Sequence, residues 1–315
     1  MLGMSRILAL LITIAAVSRG GTLVLKRAWI DQFKDRATID ATFTIDHAHP
    51  RPNPGAQDGD MHVAGRAPKE IGLPMVAEIM NAIAPTEKAA VDLVHETEKK
   101  NGAIPVTGAW RLWFEHPPST GSQIQFNAVP MAANTNPDHC FEIHPVTKAG
   151  PNDLTGSFKH IPGFPPKDAK TAFTSYEKLS VSLQANDSAV TLTSTKSGFN
   201  YVLFTLHGKG ATTNLKDGGI AVMADILPAD GDTDETLAQS IRMIFVPGTD
   251  PFKKVTGGLG GDQRLKVLGI PRINLNAVSA FVDKTFPKSA GGKKSAAGTA
   301  VTRKLPYEII VVALE

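Results

Sequence analysis

A chain of 315 residues, 42% hydrophobic and 20% charged, is too long for one small core and too apolar for a disordered polymer, which predicts about two globular domains. A net charge of +3 excludes a strong, uniform pull towards nucleic acid or acidic membranes. The single cysteine, Cys140, excludes an internal disulfide and a cysteine-rich zinc site.

In chain order, Arg6 and the apolar run Ile7 to Val17 come first, closing in Ala16-Val17-Ser18. This pattern predicts a signal peptide over residues 1–18, cut before Arg19, and therefore export to the periplasm or the extracellular space. The run is shorter than the roughly twenty residues a bilayer span requires, so no transmembrane span is expected after cleavage. No cysteine follows it to carry a lipid.

Residues 19–36 are basic and contain Ala28 to Phe33, a short helix in prospect. From Arg36 to Asp46 the chain alternates, with Ile39, Ala41, Phe43 and Ile45 on one side and Asp40, Thr42 and Thr44 on the other, which predicts a half-buried strand. After a proline-rich loop, Asp60 to Ala67 and Leu73 to Asn81 read as two more strands. Pro85 to Lys100 reads as a helix, ending in lysines and an Asn-Gly pair able to turn left-handed. Val106 to Glu115 and His139 to Thr147 complete five strands, separated by a loop rich in Pro, Ser, Gly and Asn. Three strands, one helix and two strands is the element order of an OB-type barrel, in which the helix plugs one end.

The second half, from residue 150, reads as a β-rich domain. Strands are expected at Lys178–Gln184, Ala189–Thr195, Tyr201–His207, Ile220–Ile226, Ile241–Val246, Leu265–Ile270 and Pro306–Leu314. Asn274 to Phe286 fits a strand or a helix. Pro247 to Gln263 reads as turns, and the Ser-Ala-Gly-Lys stretch 288–304 as a mobile loop. No internal repeat at a fixed period is visible. The fold class expected is mainly β: a five-stranded OB-like barrel with one helix over 19–149, then a β-rich domain over 150–315.

Several short motifs carry a resemblance: Asp58-Gly59-Asp60-Met61-His62-Val63, Met75-Val76-Ala77-Glu78-Ile79, Val106-Thr107-Gly108 through Phe114-Glu115-His116, and Phe141-Glu142-Ile143-His144-Pro145-Val146. Over residues 36–148 the chain resembles a group of uncharacterised bacterial secreted proteins with an OB-like barrel that closes in Glu-Ile-His-Pro-Val. Leu268-Gly269-Ile270-Pro271-Arg272 and Leu305-Pro306-Tyr307-Glu308 look like segments that follow the barrel in some members. The resemblance implies a fold and an exported location, and no activity.

Two sets of residues are candidates for chemistry. Asp60 and His62 on one strand, and Glu142 and His144 on another, are each i and i+2, so each pair shares the outward face. Carboxylate and imidazole donors of this kind suit zinc or a similar divalent metal, whose bound water then hydrolyses a phosphoester or related bond. His116 and His139, which bracket the long loop, are further imidazoles able to join such a site, and His47-Ala48-His49, in a proline-rich loop, is able to bind metal alone. Arg111 and Trp113 share the outward face of the fourth strand, where an exposed ring beside a cation stacks a nucleobase or a sugar; the alternative is that Trp113 is covered by the first segment or by the second domain. Basic support around them is thin, limited to Arg51, Arg66 and Lys69. No P-loop, dinucleotide fingerprint or Gly-x-Ser-x-Gly elbow is present. A non-catalytic exported module binding an unknown ligand or protein is therefore the first reading. A metal-dependent hydrolase on Asp60, His62, Glu142 and His144 is the second, and an envelope structural protein the third.

Overall fold

The computed structural model describes residues 21–230, 235–259, 263–288 and 298–315. The predicted signal peptide and the centre of the predicted 288–304 loop lie outside the described residues.

The N-terminal half runs β1 (Gly21–Lys26), α1 (Arg27–Phe33), β2 (Thr38–Ala48), β3 (Met61–Arg66), β4 (Met75–Ile79), α2 (Lys88–Lys99), β5 (Ala103–His116), β6 (Ser122–Ile124), β7 (His139–Ala149) and β8 (Asn152–Asp153). In β2 the alternation works as expected: Ile39, Ala41, Phe43 and Ile45 are buried, whereas Asp40 and Thr42 face solvent. β2 pairs with β3 and β5, β3 with β4, and β7 with both β5 and, in parallel, β4. The ring closes on five strands. Its interior holds Phe43, Val63, Ala77, Ile79, Ile104 and Val146, stoppered by Val94 of α2. That helix ends where Asn101 turns left-handed, at φ 48°, and the Gly102 amide bonds back to Thr97.

The C-terminal half runs β9 (Lys167–Asp168), α3 (Ala169–Lys178), β10 (Ser180–Ala185), β11 (Ala189–Ser194), β12 (Val202–Gly208), β13 (Thr213–Asn214), β14 (Ile220–Leu227), β15 (Ala238–Phe245), α4 (Asp250–Val255), β16 (Arg264–Ile273), α5 (Leu275–Thr285), β17 (Val301–Lys304) and β18 (Tyr307–Leu314). Here β12 pairs with β14 and β16, β14 with β15, and β18 with both β16 and, in parallel, β15. This is the same closed circuit as the first barrel, with α4 again between the third and fourth strands. The chain is mainly β and consists of two OB-type barrels in tandem. A repeat absent from the sequence as a period is present as topology, because loops of unequal length destroy the spacing while leaving the pairing intact.

A third sheet of five strands, β17-β10-β11-β1-β6, draws on both halves. β1 pairs antiparallel with β11 along its whole length, so the halves share backbone hydrogen bonds. The 274–286 segment, which fits a strand or a helix by sequence, is helical, with Asn274 capping it through the Ala277 amide. Two local expectations are corrected. The turn-rich stretch after Pro247 holds the short helix α4. The 288–304 segment ends in β17, an edge strand on β10.

The barrels meet through their fourth strands, β5 and β16. Arg111 Nε donates to the Pro271 carbonyl at 2.9 Å, and Arg272 Nη1 donates to the Trp110 carbonyl at 3.0 Å. The exchange is reciprocal, one arginine from each barrel bonding the residue before its counterpart. The Arg272 guanidinium also lies 3.5 Å over the Trp110 ring. Beside this contact Met80 and Ala109 of the first barrel join Ile244, Ile270 and Ile310 of the second in one apolar cluster, with Phe158 and Ile161 from the connection between them.

Candidate functional site

The outer face of β3, β4 and β7 gathers a cluster of buried ionisable groups, Asp60, Glu78, His139, Glu142 and His144. His62 lies opposite Glu78 across the β3–β4 ladder, and β7 runs beside β4 so that Glu142 is level with Val76. Barrel closure therefore places β4 between the two strands carrying the predicted pairs, and Glu78 is the bridge that joins them. His62 Nε2 is 3.3 Å from Glu78 Oε2, and His144 Nδ1 is 3.4 Å from the same oxygen. On its other flank His144 Nδ1 lies 3.3 Å from Glu142 Oε2.

His144 Nε2 is 3.5 Å from Asp60 Oδ2 and 2.9 Å from the Tyr201 hydroxyl. Tyr201 donates its only proton to Asp60 Oδ2 at 2.5 Å, so its oxygen must accept from His144 Nε2–H. With carboxylates on Nδ1 as well, both ring nitrogens of His144 carry protons and the imidazole is a cation. Burial alone would push its pKa down, but Glu78, Asp60 and Glu142 together hold it well above the ordinary histidine value. Burial raises the Asp60 carboxyl to about 6 against the opposing pull of His144. For Glu78 the cations outweigh burial, and its carboxyl sits at about 2.

Glu142 is also gripped by Arg111 Nη1 and by His139 Nε2 at 3.3 Å. Burial raises it, but Arg111 and the two imidazoles bring it well below the usual carboxylate range. Arg111 spends its remaining donors on Glu115, at 2.6 Å, and on the Pro271 carbonyl. His116 stacks on His139 with ring centres 5.0 Å apart, and His49 stacks on His62 at 4.7 Å. The array thus alternates imidazoles and carboxylates through its centre and ends on each side in a stacked pair of imidazoles.

The predicted outward projection of Asp60, His62, Glu142 and His144 is observed, since all four leave the barrel interior. Their surroundings differ from expectation. Asp60 and His144 are 0% exposed and Glu142 is 3% exposed, because Tyr201 and the second half cover this face. The three side chains whose donor atoms lie mutually within 4.8 Å are Asp60, Glu78 and His144, so Glu78 belongs to the cluster in place of His62 and Glu142. The sequence held the signal for it: in an OB circuit the third strand separates the second from the fifth, so any site between them needs an outward residue of the third. Tyr201, from before β12, was invisible to that reasoning.

Arg111 and Trp113 do not form a ligand platform. Trp113 is buried, its ring edge-on to Tyr176 at 5.6 Å, and Arg111 is consumed by the network above. The cause is the third sheet and α3, which close over the outer side of β5. Arg66 is paired with Asp46 at 2.8 Å.

The loop after His116 stays open. Its 130–138 part and Pro74-Met75 enclose a groove of about 400 Å³, lined by Pro130, Met131, Asn134, Asn136, Pro137 and Asp138 among others. Met131 is 59% exposed. The loop is braced, with the Ala132 amide bonding Asp46 at 2.9 Å and Gln123 bonding the Asp138 carbonyl at 2.9 Å. Among the described residues no helix is long and apolar enough to cross a membrane. No protein-family model matches the chain, and no curated protein matches it.

Proposed function

We propose that this chain is an exported, non-catalytic binding module whose contact surface is the groove formed by Pro74, Met75 and the 130–138 loop. The carrying observation is a contrast in access: the acid–base groups are sealed between the barrels, while the loop joining the fourth and fifth strands holds an open, braced groove. That loop is a principal ligand-contacting element of OB barrels. Its lining is apolar and amide-bearing, with Asp138 the one charged group and no lysine or arginine. Such a surface suits a neutral glycan or a peptide, and gives a phosphate backbone nothing to pair with. The metal-dependent hydrolase reading needs an opening through which substrate reaches Asp60 and His144, and burial of both argues against it.

Glycan and peptide arrays probed with the mature protein and with Met131→Asp test the reading. The expected result is retention of a ligand by the wild type that the variant loses tenfold or more. Turnover of a chromogenic ester or phosphoester that His144→Gln abolishes would overturn it. N-terminal sequencing of mature material is expected to begin at Arg19; an intact Met1 in the soluble cytoplasm contradicts export.

A further inference from the structure

We propose that Asp60, Glu78 and His144 hold one divalent transition-metal ion in a closed site tying together the second, third and fifth strands of the first barrel. The argument begins with the second barrel, which is an internal control. Arg111 lies opposite Glu142 in the β5–β7 ladder, and Arg272 lies opposite Glu308 in the β16–β18 ladder. Both pairs are ion-paired and buried. With Glu142 and Glu308 superposed, His144 corresponds to Ile310, two residues on. Ile310 lies beside Ile244 and Ile244 lies opposite Ala221, so Glu78 corresponds to Ile244 and His62 to Ala221. Two residues before Ala221, Gly219 occupies the place of Asp60.

The same circuit therefore closes with Gly, Ile and Ile where the first barrel has Asp, Glu and His. The Arg–Glu pair belongs to the fold, because both barrels keep it. The Asp60–Glu78–His144 triad is not required by the fold, and burying three ionisable groups where apolar ones suffice is unfavourable unless they bind something.

A second observation points to a ligand. Glu78 is 3% exposed, yet its Oε2 accepts no hydrogen bond although two imidazole nitrogens lie nearby. A buried carboxylate oxygen held only by two long ion pairs, to His62 Nε2 at 3.3 Å and His144 Nδ1 at 3.4 Å, has a lone pair left for a cation. Two carboxylates and an imidazole are the donor set of zinc or manganese. The surrounding shell suits ligation too: Asp60 takes the Asn81 amide at 3.1 Å and the Tyr201 hydroxyl, and Glu142 is positioned to orient the His144 ring. Binding exchanges one ring proton of His144, released to solvent, for the metal. Three protein ligands leave a fourth position open, and the burial of Asp60, Glu78 and His144 keeps substrate away from it.

Mature protein purified without chelators, analysed for metals and then titrated with Zn²⁺ or Mn²⁺ after EDTA treatment, tests this directly. One equivalent per chain is expected, with affinity falling in Glu78→Gln and in His144→Gln by more than the roughly 10–100-fold typical of losing a group that only orients a ligand. His49→Ala, at the half-buried end of the histidine array and outside the triad, should bind as the wild type does. If the glutamine variants fail to fold, Glu78→Ile/His144→Ile, which installs the second barrel's residues, carries the same comparison. The Co²⁺ spectrum of the wild type reports nitrogen and oxygen ligation without any variant. Wild-type protein that takes up no metal at micromolar concentration, or metal lost with His49→Ala but kept with Glu78→Gln, overturns the assignment. Either result leaves the binding-module reading untouched, because that reading rests on the groove at Met131.

Discussion

The two barrels share a circuit and differ in what their matching faces carry, and the difference separates what folds the chain from what the chain adds to the fold. Each barrel puts a glycine on its fourth strand beside a bulge, then an arginine three residues on, facing a glutamate of the fifth strand. The glycines are needed for the same reason. A Cβ on Gly108 would lie 2.5 Å from Ile143 Cγ2, and one on Gly269 would lie 2.5 Å from Ile309 Cγ2. Yet the two arginines sit in different fields. Burial opposes the charge of both, but Arg111 pairs with two carboxylates, Glu142 and Glu115, and is held above its ordinary value. Arg272 shares Glu308 with Arg242 and falls to about 10.

The largest expected effect comes from breaking the shared pair in the second barrel, where no triad complicates the outcome. Arg272 bonds Glu308 at 2.7 Å and three backbone carbonyls of the first barrel, those of Arg36, Ala37 and Trp110. Arg272→Met leaves those acceptors and a fully buried carboxylate without it, and should destabilise the chain by about 3–5 kcal/mol in urea denaturation. Adding Glu308→Leu should restore part of the loss, since the buried carboxylate, left with Arg242 alone, is then gone. A loss under about 1 kcal/mol would detach the pair from the fold.

A smaller effect tests whether the two fourth strands are packed alike. Gly108→Ala and Gly269→Ala each force a methyl against an isoleucine and the neighbouring backbone, and each should cost about 1–3 kcal/mol. Similar losses support one packing solution used twice. A tolerated Gly269→Ala beside a damaging Gly108→Ala would show that the second barrel yields where the first does not.

Much of the first barrel was legible in the sequence, because β2 keeps one face wet and alternates, and α2 is bracketed by Pro85 and Asn101-Gly102. The second barrel was not recognised as a barrel. β14, β16 and β18 are buried on both faces, so Ile309, Ile310, Val311 and Val312 form a continuous apolar run in which period two is lost. The motifs around Gly269-Arg272 and Tyr307-Glu308 were visible, but their equivalence to Gly108-Arg111 and Phe141-Glu142 appears only through register. For the site, spacing found four of the ionisable residues. Glu78, single among apolar neighbours, and Tyr201, distant in the chain, become part of it through strand pairing and domain contact, which no local pattern encodes.

The smallest expected effect concerns the helices at equivalent places in the two circuits. α2 has twelve residues, no side-chain cap, and four buried side chains to fix it. α4 has six residues and buries Pro251 and Val255. A helix this short has little packing to hold it and depends on its ends. Thr249 supplies the N-terminal end: its hydroxyl donates to the Val246 carbonyl at 2.8 Å and accepts from the Phe252 amide at 3.3 Å. Thr249→Ala should therefore cost about 1 kcal/mol, with Thr249→Ser recovering most of it. Amide exchange over 252–256 should quicken while the α2 amides stay as they are, because the barrel strands around α4 remain paired. Unchanged exchange in α4 would mean that its contact with β18, rather than its cap, sets its stability.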